Sequence, residues 1–186
     1  MSSQWLYDHS AIEWQKWLPN NTLDTIKLGG YYTTLIRPGL RVIALNNNIC
    51  LSYNFWILYS TDEMKRQFQW LHDTLLAAEE AKEYVHILAH APSGKSDYFH
   101  PCSREYKKIV ERFYKTISAQ FNGHSEFFDI NVFYGTSNKS IATNVAWNGG
   151  SLATYSEVNR NYVLYEVEAE RFASFTNVII LISIYN

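Results

Sequence analysis

Apolar residues at Met64, Phe68, Leu71, Leu75 and Ala78 recur every three or four positions, and this spacing predicts a helix over residues 62–82. Thr61 or Asp62 is expected to cap it, since a side-chain oxygen there can accept a free first-turn N–H. Upstream, Leu6, Ile12, Trp14, Trp17 and Leu18 give a less regular helical stripe over residues 5–18, stopped by Pro19. Gly29-Gly30 punctuates the chain, and residues 31–36 read as a strand. Pro38-Gly39 reads as a turn and residues 40–45 as a buried strand that Asn46-Asn47-Asn48 ends. Residues 85–89 form a short apolar run with a β-branched start, hence a buried strand, with His90 at its C-terminal end and Ala91-Pro92-Ser93-Gly94 as loop. Ser103 is expected to open a third helix with Tyr106, Ile109, Val110 and Phe113 on one face. Residues 117–121 read as a strand ending at Asn122-Gly123-His124, and further strands follow over 127–133, 143–147 and 162–167. Without repeats, low-complexity stretches or linkers, this order predicts one α/β domain with a mixed sheet and a β-rich C-terminal half.

Composition changes this picture little. The 186 residues carry 16 basic and 18 acidic side chains, so charge gives no reason to expect a nucleic acid or an anionic membrane as partner. Charged residues make up 18% of the chain, below a usual share of about 25%, and aromatics reach 16% with 14 tyrosines. That balance fits a sturdy core and an aromatic-lined groove or covered face. The opening residues lack the basic and apolar regions of a signal peptide. The longest apolar run, residues 178–185, is far short of the roughly 20 residues that span a bilayer. On these grounds alone the chain reads as soluble and intracellular. Two sequons pull the other way, Asn20-Asn21-Thr22 and Asn138-Lys139-Ser140, which make Asn20 and Asn138 candidate glycosylation sites. The two cysteines, Cys50 and Cys102, can close one disulfide or stand as two buried thiols, and the count leaves both open.

The chemistry concentrates at two junctions where a strand gives way to a loop, at His90 and at Gly123-His124-Ser125-Glu126. In open α/β sheets, sites form outside the carboxyl ends of the strands. A glycine before a histidine is expected to let the backbone turn sharply and bring the imidazole close to a ligand. An imidazole and a carboxylate two residues apart on a loop can both point at one divalent cation. Each histidine alone is more often a hydrogen-bonded loop residue than a metal ligand. His86 lies further back on the strand and reads as a core or supporting histidine.

At these residues the chain resembles the acid sphingomyelinase family, within the calcineurin-like metallophosphoesterases. The resemblance runs through Gln4-Trp5-Leu6-Tyr7, Trp17-Leu18-Pro19, Gly29-Gly30-Tyr31-Tyr32, Pro38-Gly39-Leu40-Arg41, Asn54-Phe55-Trp56, Val85-His86-Ile87-Leu88-Ala89-His90 and Ala119-Gln120-Phe121-Asn122-Gly123-His124. It continues over Phe128 to Tyr134 and Ala153-Thr154-Tyr155, in order and without large gaps. It implies a partial αββα sandwich, with residues 1–170 as the C-terminal portion of the catalytic domain and 171–186 as a divergent tail. It also implies a two-zinc phosphodiesterase acting on sphingomyelin or another phosphodiester lipid, secreted or lysosomal, with peripheral membrane contact. By the same resemblance, His90, His124 and Glu126 occupy metal-ligand positions, Tyr155 a substrate-binding position, and Cys50 and Cys102 positions near those that the family cross-links.

Three departures qualify the resemblance. The family's other metal motifs, and the proton donors that accompany them, are expected upstream of this chain, so the chain by itself is expected to be inactive. The family's Gly-His-Thr-His reads Gly123-His124-Ser125-Glu126, and the added carboxylate lowers a cation's Lewis acidity and repels phosphate. The Pro-Pro-Gly loop reads Pro92-Ser93-Gly94, and the family's Asn-Pro-Gly reads Asn159-Arg160-Asn161. Two other readings compete with sphingomyelin hydrolysis. One is a non-catalytic secreted paralogue that binds lipid or a partner, and the other is a phosphodiesterase acting on nucleotides.

Overall fold

The computed structural model describes residues 3–155, 157–168 and, as a backbone strand, 175–183. The boundary expected at 170/171 lies outside the described residues. Among the described residues four α-helices are present: α1 (Gln4–Trp14), α2 (Leu23–Gly29), α3 (Asp62–Glu80) and α4 (His100–Arg112). The strands are β1 (Tyr32–Arg37), β2 (Leu40–Ala44), β3 (Tyr84–Leu88), β4 (Ile117–Asn122), β5 (Asp129–Tyr134), β6 (Ala142–Asn148), β7 (Arg160–Val167) and β8 (Phe175–Ser183). Six strands form one mixed sheet in the order β1-β2-β3-β4-β6-β5, and β7 and β8 form a separate antiparallel pair. The four central strands β2, β3, β4 and β6 run parallel, and the outer strands β1 and β5 pair antiparallel.

One face of the sheet carries the core. Ile43, Ile87, Gln120 and Ala146 are successive partners across the ladder, so they point to the same side, and all are buried. Against them α3 turns Phe68, Leu71, Leu75 and Ala78, and α4 turns Cys102, Tyr106 and Val110. Gln120 stays paired within this apolar layer. The Tyr106 hydroxyl donates to its Oε1 at 2.6 Å, and its Nε2 donates to Asn144 Oδ1 at 2.7 Å. The opposite face presents His86, Phe121 and Trp147, and Tyr165 of β7 lays its ring against Phe121 (5.0 Å between centroids) and Trp147 (6.1 Å). Tyr165 of β7 thus covers part of the second face.

The local differences from the sequence reading have physical causes. Helix α4 starts at His100, three residues before Ser103, because Pro101 presets the first-turn backbone. Ser103 instead uses its hydroxyl to accept the Gly94 N–H at 3.1 Å. At the start of α3 neither Thr61 nor Asp62 caps. The Asp62 N–H donates to Ser60 Oγ at 3.2 Å, and Asp62 and Glu63 complement the positive end of the helix. Helix α2 is an additional element. It ends at Gly30, whose φ of 73° is left-handed and whose N–H bonds Ile26 O at 2.8 Å. The glycine pair therefore closes a helix before it opens a strand.

Candidate functional site

The parallel register sets Leu88 of β3 beside Phe121 of β4, so the loops bearing His90 and His124 leave the sheet at the same level. The two imidazoles meet there, with His90 Nε2 3.3 Å from His124 Nδ1 and the rings edge to face. Partial burial, reinforced by the nearby His124, holds His90 below the ordinary imidazole pKa. The neutral ring this favours is the form that can offer a lone pair to a cation.

The backbone around His90 is fixed from two sides. Asn47 and Ala91 exchange hydrogen bonds: Asn47 Nδ2 donates to Ala91 O (2.5 Å), and the Ala91 N–H donates to Asn47 Oδ1 (3.2 Å). Asn122 Nδ2 donates to Ala89 O at 3.0 Å and Ala91 O at 3.3 Å, while the Gly123 N–H donates to His90 O at 2.8 Å. Asn47 and Ala91 are buried, so these bonds replace water that cannot enter.

The turn at His124 differs from expectation. Gly123 is not left-handed; His124 (φ 69°) and Glu126 (φ 62°) take that conformation instead. A Cβ at Gly123 would make only ordinary contacts, 3.7 Å from His90 Nδ1 and 4.0 Å from His90 O. Non-glycine residues rarely adopt this backbone, and such strain gathers at functional sites. His124 Nε2 meets Asp97 Oδ2 at 2.5 Å. Asp97 lies on the loop before α4, and its carbonyl accepts both the N–H and the hydroxyl of Ser52 at 2.8 Å. On the same loop Lys95 pairs with Asp129 Oδ2 at 2.8 Å, and Asn148 donates to the other carboxylate oxygen. Burial works to raise the Asp129 pKa, but the bonds from Lys95 and Asn148 outweigh it and hold the carboxyl below its usual range.

Of the residues singled out from sequence, His90 and His124 are thus brought together. Glu126 is half-buried on the His124 loop. Tyr155 is 91% exposed, on the loop leaving the C-terminal end of β6, the same end of the parallel strands as His90 and His124. Asn20 and Asn138 are exposed, and His86 is buried against Phe121 with rings 5.6 Å apart. Cys50 and Cys102 form a disulfide, with Cα atoms 5.8 Å apart. Beside His90 an open depression of about 360 Å³ is lined by Trp14, Tyr32, Leu88, Phe121 and Asn122. Sequence reasoning missed Asp97, Asn47 and Asn122 as parts of the site. The asparagines were visible only as strand ends, and nothing in the sequence tied Asp97 to a histidine 27 positions away.

Two nitrogens on one tetrahedral zinc, each at about 2.0–2.1 Å, stand about 3.3 Å apart. The observed separation matches that edge. Among the described residues no group of three or more His, Cys, Asp or Glu side chains gathers to hold a metal ion. His90 and His124 thus bring together two corners of one coordination sphere.

No family model matches the chain. Among curated proteins it is 40% identical over 167 residues to the sphingomyelin phosphodiesterase of Bos taurus and 39% identical to that of Homo sapiens. The chain belongs to the sphingomyelin phosphodiesterase family. The match covers 90% of this chain and 26% of each relative, so the chain spans about a quarter of the length of these sphingomyelin phosphodiesterases. It is also 36% identical over 129 residues to a cyclic GMP-AMP phosphodiesterase of Mus musculus, covering 64% of this chain and 29% of that protein. Among solved structures, a dimetal phosphatase from Danio rerio superposes with a TM-score of 0.52 at 11% identity, over 75% of this chain and 56% of that one. The mixed α/β fold of this chain is thus shared with that dimetal phosphatase.

Proposed function

We propose that the chain forms part of a zinc-dependent phosphodiesterase that hydrolyses sphingomyelin to ceramide and phosphocholine. The observation that carries this reading is the facing pair of His90 and His124, 3.3 Å apart at the ends of adjacent parallel strands. Zinc ions, when bound, supply Lewis acidity at the phosphoryl oxygens and make water a usable nucleophile at neutral pH. The chain's own part is to hold cations with His90 and His124, with Glu126 as a third donor, and to keep the His90 loop rigid through Asn47 and Asn122. Tyr155 contacts the substrate. The remaining metal ligands, and the donor of the proton that the departing ceramide oxygen takes up, belong to the part of the family's domain that precedes this segment. The disulfide and the two exposed sequons support a secreted or lysosomal site of action.

The test is phosphocholine release from sphingomyelin vesicles in excess zinc, by the chain and by a longer protein that carries it. The longer protein is expected to be active and its His124→Ala variant inactive. Undiminished release by His124→Ala overturns the reading. The similarity to a cyclic GMP-AMP phosphodiesterase favours a second reading, in which the phosphodiester is a nucleotide. Turnover of a cyclic dinucleotide but not of sphingomyelin selects it. The carboxylate of Glu126, where the family carries a histidine, favours a third: a non-catalytic secreted paralogue that hydrolyses neither substrate.

A further inference from the structure

Of His124's two ring nitrogens, one faces His90 and the other is already engaged. Nε2 lies 2.5 Å from Asp97 Oδ2, and Nδ1 lies 3.3 Å from His90 Nε2. A carboxylate at that distance accepts a proton and cannot donate one, so it fixes the hydrogen on Nε2 and turns the Nδ1 lone pair toward His90 Nε2. The ring's orientation is set by the same contact. Asp97 is well anchored for this task. Its carbonyl accepts two hydrogen bonds from Ser52, the next residue, Tyr98, is buried and bridged to Leu51, and the Phe99 N–H donates to Cys50 O at 2.7 Å.

From this geometry we infer that Asp97 is the positioning residue of the site: it locks His124 in the tautomer and orientation that turn Nδ1 toward the cation shared with His90. The inference rests on the metal-binding reading proposed above and adds a residue to it. Asp97 does not touch the cation. It acts through the ring of His124, as carboxylates behind metal-bound histidines do, and the loss of such a partner weakens metal affinity by roughly 10–100-fold. The sequence offers no hint of this role, because Asp97 sits in a polar loop 27 residues before its partner.

The test uses the 186-residue chain labelled with ¹⁵N, and zinc as the probe. In metal-free protein, long-range proton–nitrogen correlation spectra report the tautomer of His124, and zinc titration followed on the His90 and His124 ring nitrogens gives the affinity. The wild type is expected to show His124 protonated at Nε2 and to bind zinc through Nδ1. Asp97→Ala is expected to mix the tautomers and weaken binding 10–100-fold. Asp97→Asn keeps the shape but its amide donates as readily as it accepts, so it is expected to admit the Nδ1-protonated tautomer and weaken zinc binding, whereas a purely structural role for Asp97 would leave both unchanged. If Asp97→Ala fails to fold, the Asn variant still decides the matter, since wild-type tautomer and affinity within twofold in it would contradict Asp97 as the group that locks the ring. Wild-type tautomer and affinity within twofold in Asp97→Ala overturn the inference alone. Absence of zinc binding by the wild type overturns the metal reading and the inference with it.

Discussion

Asn47→Ala is the sharpest test of the frame around His90. The side chain is buried and exchanges hydrogen bonds with Ala91, donating at 2.5 Å and accepting at 3.2 Å. Truncation deprives the Ala91 N–H of its acceptor in a place closed to water, whereas Ala91 O keeps its bond from Asn122. A buried donor left without a partner costs about 1–3 kcal/mol. Taking about 2 kcal/mol and a urea dependence of about 2 kcal/mol per molar, the unfolding midpoint should fall by about 1 M. Circular dichroism in urea, with the disulfide intact, measures this directly. Asn47→Asp serves as the control. It keeps an oxygen for the Ala91 N–H but sets a carboxylate against Ala91 O, so it should destabilise at least as much as Ala at neutral pH. A midpoint shift below about 0.2 M for Asn47→Ala would refute the argument, since the bonds would then carry no net stability and something else would hold the loop.

Three further outcomes are expected. In a longer, active protein, Glu126→His should raise sphingomyelin turnover tenfold or more. One unit charge about 4 Å from the phosphate is worth on the order of 4 kcal/mol at an effective dielectric of about 20, and even a well-screened fraction slows attack on an anion; lower turnover would make the glutamate an adaptation. The disulfide closes a sequence separation of 52, for which chain-entropy arguments give about 4 kcal/mol, so the Cys50→Ser/Cys102→Ser pair should melt far below wild type, and intact-mass analysis after alkylation should find no free thiol in non-reduced protein. For Asp129 the folded pKa lies below the unfolded one, so its contribution is present above the unfolded value near 3.9 and is lost as pH falls through the folded value. Asp129→Asn should therefore lose less stability than wild type on acidification below about pH 4, and parallel melting profiles would count against the Lys95 pairing.

The elements with a long period or a clear apolar run were legible in the sequence. Leu71, Leu75 and Ala78 lie on the buried face of α3 as their spacing required, and β3 falls within one residue of the run that predicted it. Helix α2 was not legible because its seven residues make fewer than two turns, too short a window for periodicity to show. His90 and His124 could be found because strand ends and histidines are both local signals. Their supports could not. Asn47 bonds Ala91 across 44 residues and Asp97 reaches His124 across 27, and no local pattern encodes a contact made only when the sheet is complete. Glu126 was legible as a chemical oddity, but its left-handed backbone was not, since glutamate has no preference for that region.

The Cys50–Cys102 bond makes the rigidity of the site depend on redox conditions. Cys50 sits one helical turn after Asn47, which steadies the His90 loop, and two residues before Ser52, which holds Asp97; Cys102 lies in the first turn of α4, directly after the segment carrying Asp97 and Tyr98. The covalent link thus staples together the two stretches of backbone from which both histidines take their support. Where thiols stay reduced, those stretches are joined only by hydrogen bonds, and the geometry between His90 and His124 loses its brace. Under reducing conditions the chain would carry His90, His124 and their supports without that brace, and oxidation would restore it.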